Sequence, residues 1–230
     1  MSNNFSLTTF ANDGQLKQVN NALAAANNGE TAIAIKTTDG VILACEKYIS
    51  SILIDETSFN KIVPMSKNIG STYSGLGPDF KVLAKKSRKD FQKYQLEFMD
   101  DLMPVHSLAK ECANLMQEYT QMGGVRPFGL CTFYAGYDRS GNHLFQVDPS
   151  GAFYEIKAGA IGKGRQKATQ SLERRYKDNL SIDDGISIIL DTLREGFDGE
   201  LNEKNIEIAV IKSSGYEMLS SDQIKNYLKS

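Results

Sequence analysis

Apolar residues recur at two different spacings along this chain, and the changes between them divide it into helices and strands. A helix is predicted over Gly14–Asn28, because apolar residues return there every three or four positions and Gly29 then ends the pattern. Two β-rich runs follow at Thr31–Lys36 and Val41–Tyr48, separated by the turn signal Asp39-Gly40. An Asp-Gly pair between such runs is typical of a β-hairpin. The chain is therefore predicted to begin with one amphipathic helix and a hairpin.

The rest of the chain alternates further strands with pairs of helices. The predicted strands are Ile62–Pro64, Ile69–Ser74, Phe128–Tyr137, His143–Val147 and Ile206–Lys212. The predicted helices are Pro78–Phe98, Pro104–Gln121, Gly164–Lys177, Ser181–Phe197 and Ser220–Leu228. Helices in pairs before and after two groups of strands favour two packed sheets that are covered on both outer faces. Spacing alone leaves other α+β arrangements open.

Two of these helices carry more specific expectations. Ser181 is placed to cap the helix that follows it, because its hydroxyl can accept a hydrogen bond from a free backbone N–H of the first turn. The helix after Pro104 is expected to end at Gly123-Gly124, which can supply left-handed backbone. Its inward residues are predicted to be Val105, Leu108, Ala109, Cys112, Leu115 and Tyr119.

Composition and charge narrow the class of protein. The 230 residues are enough for one sizeable core, and 41% of them are apolar, so a single folded domain is expected. The chain has three cysteines, an odd number, and each lies in an apolar pattern: Cys45, Cys112 and Cys131. This indicates reduced thiols in the core of an intracellular protein. The apolar runs are too short to span a bilayer and residues 1–10 lack a signal-peptide pattern, so no membrane partner is expected. A net charge of −2 gives no electrostatic reason to expect nucleic acid.

Two long motifs stand out in the middle of the chain. Residues 117–129 read QEYTQMGGVRPFG, and residues 144–151 read LFQVDPSG. Both closely resemble motifs of the proteasome alpha-subunit family, and the resemblance extends from Phe5 to Leu228. Within that family, Phe5–Phe10, Ala22–Ala25 and Asp222–Leu228 look most like the type-2 branch of eukaryotes. The resemblance implies an α+β fold, the four-layer αββα sandwich of the N-terminal-nucleophile hydrolases, with 1–230 as one domain made of a gate tail (1–13), an N-terminal helix (14–28) and the sandwich (29–230).

The resemblance also implies that the chain catalyses nothing itself. Catalytic relatives use an N-terminal threonine whose own α-amine is the base. Aligned on the first hairpin, that position falls at Glu30, with Thr31 beside it, and a glutamate side chain does not supply the free amine. The helix 14–28 would also lie across the cleft where substrate enters. One alternative is a self-processed N-terminal threonine hydrolase that uses Thr31, and another is a free-standing scaffold unrelated to proteolysis.

Other candidate sites have weak patterns. His106 and His143 are the two histidines, lie far apart in the sequence and have no ligand-like spacing, so no metal site is expected. The segment Gly159–Gly164 loosely resembles a phosphate loop but lacks the full spacing and the Lys-Ser/Thr pair. In the family this segment serves close packing. No cofactor is therefore expected.

The resemblance implies particular partners. It places the chain in a seven-membered ring of proteasome alpha subunits stacked on beta subunits, with the helices Pro78–Phe98 and Pro104–Gln121 towards the beta ring. A regulatory particle or another activator is the further partner expected, in the cytoplasm and nucleus.

A candidate docking pocket follows from the same resemblance. Lys61 matches the family's lysine in a pocket between neighbouring subunits, where it can pair with the C-terminal carboxylate of an activator, and Gly29 and Leu76 match the other pocket positions. A carboxylate that enters a partly dry groove needs a cation and backbone N–H donors. The alternative interpretation of Lys61 is an ordinary surface lysine beside a strand.

The N-terminal tail, which closes the axial opening in this family, is where the chain departs most from its relatives. The expected gate-tail residues are Phe5, Phe10, Asn12, Asn20 and Asn21. Asparagine replaces a family tyrosine at Asn3 and Asn21, a proline at Asn12 and a glutamate at Asn20. Asparagine cannot supply aromatic packing or a charge, and it frees a turn that proline would stiffen. The sequence therefore predicts that this subunit contributes little to an ordered open gate.

Overall fold

Two five-stranded antiparallel sheets form the centre of the molecule. The computed structural model describes residues 8–48, 51, 53–55, 58–99, 102–196 and 201–229. The first sheet has the order β10-β9-β2-β1-β8 and is composed of β1 (Ala32–Lys36), β2 (Gly40–Glu46), β8 (Ala158–Ile161), β9 (Ile206–Lys212) and β10 (Gly215–Met218). The second sheet has the order β3-β4-β5-β6-β7 and is composed of β3 (Val63–Pro64), β4 (Ile69–Gly75), β5 (Leu130–Asp138), β6 (Gly141–Val147) and β7 (Phe153–Glu155).

Helices cover the outer faces of both sheets. In chain order they are α1 (Lys17–Asn27), α2 (Gly77–Phe98), α3 (Val105–Gln121), α4 (Arg165–Arg175), α5 (Ile182–Gly196) and α6 (Ser221–Lys229). Buried side chains of α2 and α3 form one core with the second sheet, while those of α4, α5 and α6 form another with the first sheet. In the described part of the chain, no helix combines the length and the apolar character needed to cross a membrane.

A third core lies between the two sheets and completes the predicted αββα sandwich. Many of its members are small, including Ala32, Ala34, Ala135 and Ala209, and the large ring of Phe133 fills the space that they leave. Apolar faces that interdigitate in this way let two sheets pack at a spacing of about 10 Å. The four-layer arrangement predicted from the resemblance is therefore confirmed.

The boundaries and faces of the predicted helices need small corrections. Ser181 does cap α5, since its Oγ accepts a hydrogen bond from the Asp184 N–H at 3.2 Å. In α3, Leu115 and Tyr119 are only partly buried, whereas Ala113 and Met116 lie in the core. In the C-terminal half of α3, the buried face is therefore rotated by about one residue from the predicted face.

Three short strands have no counterpart in the sequence prediction. They are β7, β8 and β10, and each lies at an edge of its sheet. β8 contains Gly159 and is only four residues long, so it carries little local β signal. Its pairing with β1, with Ala32 opposite Ile161, is what makes it a strand.

The free cysteines Cys45, Cys112 and Cys131 are buried, as predicted.

Candidate functional site

The chain passes from α1 into β1 through a very close contact with the end of β4. The Gly29 N–H donates to the Ala26 carbonyl at 3.2 Å and ends the helix, and the Ser74 hydroxyl donates to the same carbonyl at 3.0 Å. A Cβ built on Gly29 would lie 2.5 Å from Ser74 Oγ and 2.8 Å from Gly75 Cα, and closer still to the Gly75 nitrogen. Only glycine fits there, and α1 is thereby held against the ends of β4 and β5.

Four charged side chains from distant parts of the sequence meet beside this junction. The Lys163 ammonium lies 2.6 Å from Glu30 Oε2 and 3.5 Å from Glu46 Oε2. The Lys163 N–H also donates to the Gly29 carbonyl at 2.9 Å, which fixes the lysine backbone next to the α1–β1 link. The Lys61 ammonium donates to the Glu46 backbone carbonyl at 3.1 Å. Two carboxylates and two ammonium groups thus form one charged cluster, which is open to solvent at Glu30 and Lys163 and which we call the cleft.

The two carboxylates respond to this environment in opposite directions. Burial is the largest influence on Glu30 and by itself would raise its pKa, but the hydrogen bonds with Lys163 and Glu46 and the nearby Lys163 and Lys61 charges together outweigh it, so the pKa lies below its ordinary value. Burial raises the pKa of Glu46, and the neighbouring Glu30 carboxyl adds to that increase. Glu46 is almost completely buried, whereas Glu30 is partly exposed, so desolvation falls mainly on Glu46. The pKa of Glu30, nearer to solvent, is thus shifted down, and that of the buried Glu46 is shifted up.

Thr31 lies in this cleft as an interior residue of the chain. Its N–H donates to Glu46 Oε2 at 3.1 Å, and its Oγ1 accepts a hydrogen bond from the Gly164 N–H at 3.2 Å. The nitrogen of Thr31 is an amide joined to Glu30, and an amide nitrogen has no basic lone pair to accept the hydroxyl proton. Thr31 could therefore act as a nucleophile of this type only after cleavage of the peptide bond that joins it to Glu30.

Lys61 is buried, and both its side chain and its backbone have partners within the chain. Only 4% of the residue is exposed, and its ammonium lies 5.5 Å from the centre of the Tyr73 ring. Its backbone N–H and that of Ile62 both donate to Glu207 Oε2, at 2.8 and 3.0 Å. The other oxygen of Glu207 lies 3.1 Å from the Lys47 ammonium. The interpretation of Lys61 as an ordinary surface lysine is therefore wrong.

The three predicted pocket residues lie around the end of one strand. Tyr73, under the Lys61 ammonium, belongs to β4, Gly29 packs on Gly75 at its end, and Leu76 follows directly. Leu76 is 43% exposed and extends over Gly129. The structure thus brings these residues to one region.

The predicted gate residues fall into two groups. Phe5 and Asn3 lie outside the described residues. Phe10 is 74% exposed, and Asn12, Asn20 and Asn21 are also exposed. Asn12 occupies the second position of a turn in which the Gly14 N–H donates to the Ala11 carbonyl at 2.9 Å.

Asn20 has a partner that keeps the tail near the helix. Its side-chain amide donates to Gln15 Oε1 at 2.6 Å, and the Gln15 N–H donates to Asp13 Oδ1 at 3.1 Å. These bonds hold the turn against the first residues of α1. Asparagine at this position therefore makes a local contact within its own chain.

The remaining candidate residues serve the fold. His143 lies between Asp138 and Glu155, at 3.3 and 3.0 Å, and His106 packs against the rings of Phe145 and Phe153. Within the described residues, no group of three or more His, Cys, Asp or Glu side chains is arranged to hold a metal ion.

The glycine-rich segment before α4 serves close packing as well. A Cβ on Gly162 would lie 2.7 Å from Ser74 Oγ and 2.8 Å from the Glu30 carbonyl, and one on Gly164 would lie 2.7 Å from Thr31 Oγ1. These positions leave no space for a larger residue beside the charged cleft. The packing role expected of this segment agrees with these contacts.

Sequence reasoning did not find Glu46, Lys163 or Glu207 as members of the site. Glu46 ends the apolar strand β2 and Glu207 is the second residue of β9, and both carboxylates are buried, which is a usable signal because buried charges require partners. Lys163 stands between two glycines and carries no comparable signal.

Comparisons with known proteins agree with this architecture. A family model described as "Proteasome subunit" matches residues 26–211. The chain is 47% identical to "Proteasome subunit alpha type-2" of Oryza sativa subsp. japonica, over 98% of this chain and 96% of that protein. It is 47% identical to "Proteasome subunit alpha type-2-B" of Arabidopsis thaliana, over 97% of this chain and 95% of that protein. It is 48% identical to "Proteasome subunit alpha type-2" of Dictyostelium discoideum, over 97% of this chain and 96% of that protein.

Proposed function

The chain belongs to the proteasome subunit family, and we propose that it is a non-catalytic subunit of the outer alpha ring of a 20S proteasome, of the type-2 kind. The observation that carries the non-catalytic role is Glu30 at the position of the catalytic threonine, where its carboxylate contacts Lys163 and supplies neither a hydroxyl nor a free amine. The chain acts with other proteasome subunits in intracellular protein degradation.

The finer features of the assembly are part of the same proposal. The ring contains seven alpha subunits of different kinds and stacks on a beta ring through α2 and α3. A regulatory particle or another activator docks on it, in the cytoplasm and nucleus, and ubiquitin-dependent degradation is one of its uses. Native mass spectrometry of the complex purified through this chain tests partners, copy number and processing together. A chain that remained alone, or one that had lost its first thirty residues, would contradict the proposal.

Replacing Thr31 with Ala is expected to leave the peptidase activities of the assembled particle unchanged, because the chain provides no nucleophile. The measurement is hydrolysis of fluorogenic peptides for each cleavage specificity. Since Thr31 Oγ1 also accepts a hydrogen bond from Gly164, Thr31→Ser serves as the control that keeps the hydroxyl. Selective loss of one specificity in Thr31→Ala, with assembly intact, would favour the self-processed hydrolase instead.

Lys61 with Gly29 and Leu76 is proposed to form the docking pocket for an activator's C-terminal carboxylate. We expect Lys61→Ala to weaken activator binding roughly tenfold, because a charge-assisted hydrogen bond contributes about 1.5–3 kcal/mol. An activator titration of peptide hydrolysis measures the effect. Lys177→Ala removes an exposed lysine far along the chain and is the matched control. An unchanged titration with Lys61→Ala would limit the role of Lys61 to its internal contacts.

The tail is proposed to contribute little to an ordered open gate, so that opening relies on neighbouring subunits. Restoring the family residues by Asn12→Pro with Asn21→Tyr is expected to raise activator-stimulated peptide hydrolysis several-fold. Proline suits the second position of the turn at Ala11–Gly14, and tyrosine at exposed position 21 can pack on an adjacent tail. Either single substitution serves as a control. If the double substitution leaves stimulation as it was, the proposed weakness of this tail is contradicted.

A further inference from the structure

The cleft beside Gly29 is electrically balanced before any ligand arrives. Glu46 and Lys61 are its buried members, at 1% and 4% exposure. Lys163 and Glu30 are the members that face solvent, with 45% and 32% of their side chains exposed. A ligand that approaches from solvent therefore meets the Lys163–Glu30 pair first. The 2.6 Å distance between the Lys163 ammonium and Glu30 Oε2 is the shortest contact among the four charged groups.

Glu30 occupies the place that an external carboxylate would take on Lys163. The backbone of Lys163 is fixed beside Glu30, because its N–H is bonded to the Gly29 carbonyl and the preceding Gly162 is packed against Ser74. Glu30 is attached next to Gly29, so its effective concentration at the ammonium is far above that of a separate ligand. A second carboxylate would also be repelled by Glu30 and Glu46 at close range.

We infer that Glu30 is an internal carboxylate that lowers the affinity of this cleft for the C-terminal carboxylate of a partner protein, with Lys163 as the cation for which the two compete. The inference rests on the proposed role as an alpha-ring subunit with a docking pocket, and it adds two residues to that pocket. Docking on this subunit then requires that Glu30 leave Lys163 or lose its charge. The residue at position 30 sets the strength of docking, and Lys61 is the second, more deeply buried cation that the carboxylate reaches behind Lys163.

The experiment uses the assembled particle and a defined probe. The probe is the peptide Gly-Ser-Gly-Ser-Leu-Ala-Leu with a photo-crosslinking group at its N-terminus and a free C-terminal carboxylate, and its C-terminal amide is the matched control. The apolar last residues suit the exposed Leu76 beside the cleft. Cross-links to this chain are quantified by mass spectrometry over a range of peptide concentrations, which separates this pocket from those of other subunits.

Glu30→Gln keeps the shape of the side chain and removes its charge. We expect it to increase the preference for the carboxylate peptide over the amide about tenfold relative to wild type, and Lys163→Met in the Glu30→Gln background to abolish that gain. Equal preference in wild type and Glu30→Gln would overturn the inference, as would a gain that survives Lys163→Met. Native mass spectrometry of each variant shows separately whether the chain is part of the particle. Absence of the chain from the particle would contradict the proposed function, whereas the peptide cross-links test only the role of Glu30.

Discussion

Replacing Gly29 with Ala is expected to destabilise the chain by about 3 kcal/mol or more, because two backbone segments would have to separate. The added Cβ would approach Ser74 Oγ to 2.5 Å and Gly75 Cα to 2.8 Å, and backbone atoms cannot change rotamer to make room. The strain would fall on the link between α1 and β1. We therefore expect α1 to leave its place at the ends of β4 and β5, together with Glu30 and Thr31.

Urea unfolding of the full-length chain, followed by circular dichroism, measures this loss, and incorporation into the particle measures its consequence. Gly123→Ala is the matched control, because a Cβ on Gly123 would have no neighbouring atom within 4 Å. We expect the control to unfold within a few tenths of a kcal/mol of wild type. Equal stability of Gly29→Ala and Gly123→Ala would show that the contact with Gly75 is not as close as described.

Removing the Glu207 carboxylate is the second change for which we expect a large effect. Glu207→Ala should cost about 3–5 kcal/mol, since it removes the buried carboxylate that contacts the Lys47 ammonium and accepts from the backbone N–H groups of Lys61 and Ile62. The Lys47 and Glu207 side chains are only 9% and 8% exposed, so water cannot easily replace the lost contacts. The chain around Lys61 would lose its anchor to β9.

Two further variants separate the contributions. Glu207→Gln keeps an oxygen that can accept from both N–H groups and removes only the charge, so we expect a smaller loss of stability than with alanine. Asp178→Ala breaks the exposed ion pair with Lys157, at 2.6 Å, and is expected to leave the urea midpoint unchanged. A midpoint for Glu207→Ala equal to that of Asp178→Ala would mean that the buried pair does not hold Lys61 in place.

These two residues connect the stability of the molecule to its proposed docking function. Gly29 positions Glu30 and the backbone that holds Lys163, while Glu207 positions Lys61 from the opposite side of the cleft. Substitutions at either place alter the cleft through the fold, whereas Glu30→Gln alters its charge alone. Stability measurements of Glu30→Gln therefore accompany its peptide cross-linking and separate the effect of charge from that of the fold.

The sequence by itself determined the longest helices and strands, the family, and the absence of an N-terminal threonine at position 30. Helices such as α3 and α5 are long and strongly periodic, so local burial patterns identify them, and β9 was predicted with its exact bounds, Ile206–Lys212. The motifs at 117–129 and 144–151 identify the family. The glutamate at position 30 is visible in the chain as written, and it removes the N-terminal threonine chemistry without any knowledge of the fold.

Only the tertiary structure decided which distant charges share the cleft. Glu30 and Lys163 are 133 residues apart, and Lys61 and Glu207 are 146 apart, so no local pattern relates them. Their meeting depends on the pairing of β1 with β8 and of β2 with β9, because strand register determines which chain segments end side by side. The same reason explains β8 itself, whose short, glycine-containing sequence becomes a strand only because β1 provides its hydrogen-bonding partners.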